Sequence, residues 1–164
     1  MLPASVTCAN RLQGLANGFL EYDIANKKAT IWDDGERSFT LINEKALGDS
    51  VVGILRHLEQ TRNKYLYAAS VETNQNEILH ALEAETGAAW DVKRVDTAQQ
   101  VSEANKQLAA GNFEGAFTLV RAAVFSNIPG LRSNYAKQET LANNILGVEM
   151  EDVKAVVKRV VAAA

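Results

Sequence analysis

Arg121 sits in an otherwise apolar run, "FEGAFTLVRAAVFSNIPG", with Phe117 one helical turn before it and Phe125 one turn after it. That spacing predicts one shared helix face. A guanidinium between two aromatic rings in a water-poor cavity would stabilise an enolate or phenolate, because a low dielectric strengthens a fixed charge. An arginine at a helix edge also commonly lays its stem on apolar surface with its head in water, so both readings stand. A second group, Asp33, Asp34, Glu36 and Arg37, brings carboxylates beside an arginine. Mutual repulsion would raise the pKa of one carboxyl and make an acid/base pair, but Asp-Asp-Gly is also what a solvated turn requires, and the turn is the preferred reading. Arg37, just ahead of Phe39, offers a planar two-pronged contact to a substrate oxygen. Tyr22 and Tyr135 carry hydroxyls that suit a general acid or a donor to a carbonyl, with a packed core tyrosine as the alternative for each.

Other chemistries lack the residues they need. His57 and His80 stand among charges near helix ends without metal-ligand spacing, and Cys8 is the only cysteine, so no metal is assigned and a reducing compartment, the cytosol, is expected. No G-x-S-x-G elbow and no G-x-G-x-x-G turn occurs, so no bound cofactor is assigned. With a formal net charge of -3 and no basic cluster, nucleic acid is not an expected partner. No apolar run approaches the roughly 18 residues of a membrane span. The 164 residues, 47% of them hydrophobic, suit one soluble globular domain, 1–164.

The elements that must position these residues are partly legible. "KKATIWDDGERSFTLIN", from Lys27 to Asn43, reads as a hairpin reversing at Asp33-Asp34-Gly35. Asn43 caps a helix whose Leu47, Val51, Ile54, Leu55 and Leu58 predict one buried stripe. "KYLYAAS" is of strand length, Asn74 and Glu77 form a capping box, and Gly87 suits a left-handed helix end. "AWDVKRVD" alternates like a strand, and Thr97 with Gln100 predicts a second capping box before a helix reaching Gly111. Pro129-Gly130 breaks the chain, and the last helix carries Val153, Val156, Val157, Val160 and Val161 on a face that must be buried. Strands alternating with helices, and helices dominating the second half, predict an α+β, helix-rich domain with a few short strands.

The order of "NGFL" (Asn17 to Leu20), "KKATIWDDGERSF", "LGDSVVGIL", "YLYAAS", "NEIL" and "QLAAGNFEGAFTLVRAAVFS" resembles the C-terminal, substrate-binding half of fungal NmrA-like, isoflavone-reductase-like proteins. The resemblance implies an atypical short-chain reductase whose Rossmann half, with its NADPH site, has no counterpart in this sequence. It also implies that "NGFL", with Asn17 and Phe19, and the helix carrying Phe113, Phe117 and Phe125 border a cleft for a small aromatic or polyketide-like metabolite. Tyr22, Arg37, Arg121 and Tyr135 are then the candidate catalytic residues, and Phe39 a further wall. A pocket without its hydride donor suggests cofactor-independent proton transfer, that is an isomerase or cyclase. The alternatives are the substrate half of an NADPH-dependent reductase and a non-catalytic regulator. "KYLYAAS" resembles an edge strand of the family's cofactor sheet, so a homodimer, or a separate Rossmann-type subunit, is expected to cover it.

Overall fold

The computed structural model describes the backbone at residues 5–7, 10–11 and 13–163, and side chains from residue 13 onward. Eight short strands and nine helices are present among these residues. In chain order they are β1 (Ser5–Thr7), β2 (Asn10–Arg11), α1 (Gln13–Ala16), β3 (Tyr22–Asp23), β4 (Lys28–Trp32), β5 (Phe39–Ile42), α2 (Glu44–Arg56) and α3 (Leu58–Thr61). There follow β6 (Tyr65–Tyr67), β7 (Val71–Thr73), α4 (Gln75–Thr86), β8 (Asp91–Val95), α5 (Thr97–Ala109), α6 (Glu114–Phe125), α7 (Tyr135–Gln138), α8 (Asn143–Leu146) and α9 (Val153–Ala162). The helix-rich α+β class expected from the sequence is what forms.

The hairpin does not form. β4 lies between β3, antiparallel, and β8, parallel, whereas β5 lies between β2, parallel, and β7, antiparallel. The reason is visible at the turn, which is claimed by other elements before the two strands can meet. Asp33, at φ 52°, accepts from the Thr97 amide at 2.9 Å and from the Thr97 hydroxyl at 2.7 Å, which ties it to the start of α5. Asn76 donates to the Asp34 carbonyl at 2.8 Å and to Glu36 at 2.5 Å, which ties the turn to α4. These carboxylates are structural acceptors rather than an acid/base pair.

The caps follow the sequence closely. Asn43 accepts from the Ala46 amide, the Asn74/Glu77 capping box is reciprocal, and Gly87 ends α4 at φ 61°. At α5 the cap is Asp96, accepting from Gln99, one residue ahead of the expected Thr97; Thr97 is instead spent on Asp33. Val156 and Val157 of α9 are buried against α4, with Val153, Val160 and Val161 partly buried in the same core. The α2 stripe is split: Val51, Leu55 and Leu58 are 51%, 64% and 52% exposed, whereas Leu47 and Ile54 are partly buried against the smaller cluster, beside a fully buried face of Ala46, Ser50 and Gly53. α2 turns its small residues inward because it packs closely on α8, where a Cβ at Gly53 would meet the Leu146 backbone at 2.6 Å.

Two apolar clusters hold the elements together. The larger joins Tyr22, Ile31, Trp32, Phe39, Ile78, Leu82, Trp90 and Phe125 with α9; the smaller joins Ile42, Ala46, Leu66, Ala68, Leu146 and Val148. Gln75 stitches the first of these, although nothing in the sequence flags it. Its side chain accepts from the Trp32 amide at 2.8 Å and donates to the Thr30 carbonyl at 3.0 Å, while its own carbonyl accepts from the Tyr22 hydroxyl at 2.7 Å. A fully polar residue 2% exposed is tolerated here because both ends of its amide are paired.

Candidate functional site

The turn after α1 is built by short-range backbone bonds. The Leu20 amide donates to the Gly14 carbonyl at 2.9 Å and the Glu21 amide to the Gly18 carbonyl at 3.0 Å, while the Asn17 side chain accepts from the Phe19 amide at 3.0 Å. Gly18 takes φ 78°, open to glycine at no steric cost, but Glu21 takes φ 72° with a side chain, which is strained by about 1 kcal/mol or more. Glu21 is held there from three sides: by its amide, by the Thr30 amide donating to its carbonyl at 2.9 Å, and by an ion pair of its carboxylate with Arg121 Nε at 3.1 Å.

Arg121 reaches this turn from α6. Its Nε also donates to the Phe19 carbonyl at 3.1 Å, and its guanidinium carbon lies 5.1 Å from the centre of the Phe19 ring. The same ring meets Phe117 edge to face, at 6.4 Å and 88°. Arg121 and Glu21 side chains are 25% and 20% exposed, so the pair is shielded on one side and open on the other. Alongside, Phe117 and Val120 are 49% and 47% exposed, and Phe113, at the head of α6, is 78% exposed. The result is an exposed aromatic wall with one anchored cation.

α6 is placed by its contact with α5. An added Cβ at Gly115 would stand 2.3 Å from the Ala104 carbonyl oxygen, so the helices touch backbone to backbone. The side opposite this contact carries the aromatic wall outward.

Four of the ten candidate residues, Asn17, Phe19, Phe117 and Arg121, therefore meet at one place, and Phe113 lies on the same helix. The others do not. Phe125 is 2% exposed and packs on Phe39 at 5.3 Å and Trp32 at 6.3 Å. Each step of four residues drifts by about 40°, so Phe125 lies about 40° from Arg121 and about 80° from Phe117, which turns it off their face and into the core. Phe39 is likewise buried and is packing, not a pocket wall. Tyr22 is 1% exposed, and burial pushes its hydroxyl pKa well above the ordinary tyrosine value. The phenol so placed donates to the Gln75 carbonyl and is packed in the core. Arg37 donates to the Leu131 carbonyl at 2.8 Å and pins the segment after α6 to β5. Tyr135 begins α7, with its amide on the Thr40 hydroxyl at 3.3 Å and its ring 5.1 Å from Tyr67. Glu21 was not singled out by the sequence reading, since nothing local links it to an arginine a hundred positions away.

A groove of about 760 Å³ lies elsewhere, between α4 and the start of α9, lined by Glu72, Glu77, His80, Glu85, Glu151 and Asp152 among others. Its carboxylates are mostly engaged: Glu72 with Asn134 and Lys137, Glu77 in the α4 cap, and Glu151 with Asn43 and Arg159. No group of His, Cys, Asp or Glu suited to a metal ion is present among the described residues.

No family model matches the chain. It is 32% identical over 139 residues, 85% of its length, to "Oxidoreductase poxI" of Penicillium oxalicum, and covers 44% of that protein. It is 30% identical over 146 residues, 89% of its length, to "Oxidoreductase aprR" of Aspergillus flavus, covering 48% of it. The chain thus spans about half the length of the curated relatives it matches. Among solved structures, an isoflavone reductase superposes over 94% of this chain and 51% of its own, with a TM-score of 0.62 at 16% identity. A nucleoside-diphosphate-sugar epimerase from Staphylococcus aureus superposes over 93% of this chain and 50% of its own, at TM-score 0.59 and 12% identity. The fold is that of the isoflavone reductase and epimerase structures, and the relatives in sequence are fungal oxidoreductases.

The family resemblance implies a nicotinamide dinucleotide, and the described residues do not fit one. Such a ligand needs a glycine turn from strand to helix and free amides at the helix start. The strand-to-helix turns that open a helix longer than one turn, at α2, α4 and α5, are each closed by the helix's own Asn43, Asn74 or Asp96 side chain. At α4 and α5 a carboxylate, Glu77 or Asp96, accepts from an amide at the helix start, and its charge repels a phosphate.

Proposed function

We propose that this chain is the substrate-binding portion of an isoflavone-reductase-like oxidoreductase, acting on a small aromatic or polyketide-like molecule, with any nucleotide held by residues outside it. The observation that carries the reading is the wall of Phe19, Phe117 and Arg121, with Phe113 beside it, open to one side and anchored by a strained turn. Aromatic rings would stack on a planar substrate, and the Arg121 guanidinium would bind a phenolate or enolate oxygen at the edge of the ring system. The oxidoreductase names of the relatives support this over cofactor-independent isomerase or cyclase chemistry. Proton transfer by this chain alone needs an acid beside the arginine; the carboxylate there, Glu21, is ion-paired to it, and Tyr22 is closed in the core.

The reading is tested by calorimetric titration of the chain with phenolic and enone compounds and, separately, with NADPH. Binding of a phenolic ligand, weakened by about 1–3 kcal/mol in Arg121→Ala and in Phe117→Ala while the circular dichroism is unchanged, is the expected result. NADPH binding to the chain alone, or turnover of a ligand without any cofactor, would replace it with a self-sufficient enzyme.

A further inference from the structure

The guanidinium of Arg121 is only half engaged. Its Nε carries a single hydrogen, which donates to the Phe19 carbonyl at 3.1 Å, and the Glu21 carboxylate stands 3.1 Å from the same nitrogen. Glu21 therefore approaches at the Nε edge. Neither Nη group makes a hydrogen bond among the described residues, so these donors remain for a ligand oxygen. The guanidinium carbon is 5.1 Å from the Phe19 ring centre, close enough for one ligand to lie on the aromatic wall and reach both. Glu21 is aimed at this point against its own backbone preference, at φ 72°, with its amide bonded to Gly18 and its carbonyl to Thr30. Such strain in an ordinary residue points to a use for the side chain it presents. The Arg121 and Glu21 side chains are 25% and 20% exposed, so water screens the pair from one side only. A groove of about 360 Å³ that shares Gly18 and Glu21 sets Lys28 and Lys93 against Asp23 and Asp91, which cancel in charge. A ligand at Arg121 thus meets an ion pair of no net charge in place of a lone cation.

We infer that Glu21 is the specificity-determining residue of the wall: by neutralising Arg121 while leaving its Nη donors open, it admits oxygens whose charge is absent or spread over a ring system and turns away localised anions. A phenol, an enone carbonyl or a delocalised phenolate belongs to the first class; carboxylates and phosphates belong to the second. The inference rests on the reading of the wall as a substrate site and names the class of oxygen taken there. A lone arginine beside aromatic rings would favour an aromatic carboxylate, which it matches with two parallel hydrogen bonds. With Glu21 beside the arginine, a localised anion gives up its water for a pair that is already neutral and meets a like charge close by. A neutral oxygen requires only a donor. The discrimination comes from the repulsive group and not from a missing contact.

The test is calorimetric titration of the chain with two probes of one ring system, 2-naphthol and 2-naphthoate, at about pH 7, where the phenol is neutral and the carboxylate ionised. The unaltered chain is expected to bind 2-naphthol about tenfold or more tightly than 2-naphthoate. In Glu21→Gln, which keeps the shape of the side chain, 2-naphthoate should gain about tenfold while 2-naphthol changes by less than about threefold. An unaltered chain that takes both probes equally well, with both weakened in Arg121→Ala, would overturn the inference and leave the wall standing as a site. A Glu21→Gln variant of unchanged circular dichroism that shifts both probes by the same factor would overturn it too, since a merely structural residue acts in that way. Failure of both probes to bind, or binding of both indifferent to Arg121→Ala, would remove the wall as a site and the inference with it. The comparison on the unaltered chain involves no variant, so it decides the matter even where Glu21→Gln does not fold.

Discussion

Replacing Gly115 by alanine should loosen the platform that presents Phe117 and Arg121. The new Cβ would lie 2.3 Å from the Ala104 carbonyl oxygen and 3.0 Å from Leu108 Cγ. The closer partner is backbone, so it cannot rotate away; reaching ordinary contact requires α6 to move off α5 by about 1 Å. Overpacking of this size costs about 1–3 kcal/mol. Against it stands the gain of about 1 kcal/mol from replacing glycine by alanine inside a helix. The net expectation is a loss of up to about 2 kcal/mol, read as a lower urea midpoint at unchanged slope. Because Arg121 and Phe117 travel with α6, the same variant should weaken any phenolic ligand about tenfold at temperatures where it stays folded. A Gly115→Ala protein that gains about 1 kcal/mol, as helix propensity alone would give, would refute the close crossing and the positioning argument built on it.

Three further expectations follow from named groups. Tyr22→Phe removes the buried hydroxyl donating to Gln75 and should cost about 1 kcal/mol in urea unfolding, with ligand binding unaffected; a loss of binding at full stability would restore Tyr22 to the site. Burial raises the folded pKa of Tyr22 above the unfolded value near 10, so its contribution is full below pH 10 and is lost as pH rises above it; alkaline unfolding monitored by tyrosinate absorbance should show this, and the Tyr22→Phe variant should lack it. For Glu72 the sign is opposite. The Asn134 hydrogen bond first, then Lys137, holds its carboxyl below the ordinary 4.5, so its contribution is present above pH 4.5 and is lost as pH falls below that; Glu72→Gln should flatten the acid limb of the stability curve, and an unchanged limb would show the pair is fully solvated.

Local rules carried the caps and failed at partner choice. Asn43, the Asn74/Glu77 box and Gly87 are decided within one turn of chain, so the sequence states them directly. The Val153 to Val161 stripe was legible because its partner, α4, belongs to the same core. The Leu47 to Leu58 stripe has the same periodicity, yet only Leu47 and Ile54 reach the core and Val51, Leu55 and Leu58 lie outside, because α2 uses small residues against α8. Periodicity shows that a face seeks cover without saying what supplies it. β4 and β5 look like a hairpin because the turn residues are right, and only Thr97, Asn76 and Arg94, all distant in sequence, reveal that the turn belongs to α5, α4 and β8. At the candidate site the arginine and the aromatic neighbour Phe117 were legible as a helical pair. The Glu21 ion pair and the inward turn of Phe125 were not, since both depend on how α6 is rotated against the rest of the fold.

The most direct test of the substrate-wall reading is amide chemical-shift mapping of the isotope-labelled chain titrated with a phenolic ligand selected from the panel. Perturbations concentrated at Asn17 to Glu21 and along Phe113 to Arg121, and missing in Arg121→Ala, are the expected result. Perturbations confined to the acidic groove between α4 and α9, with the Arg121 face silent, would contradict it.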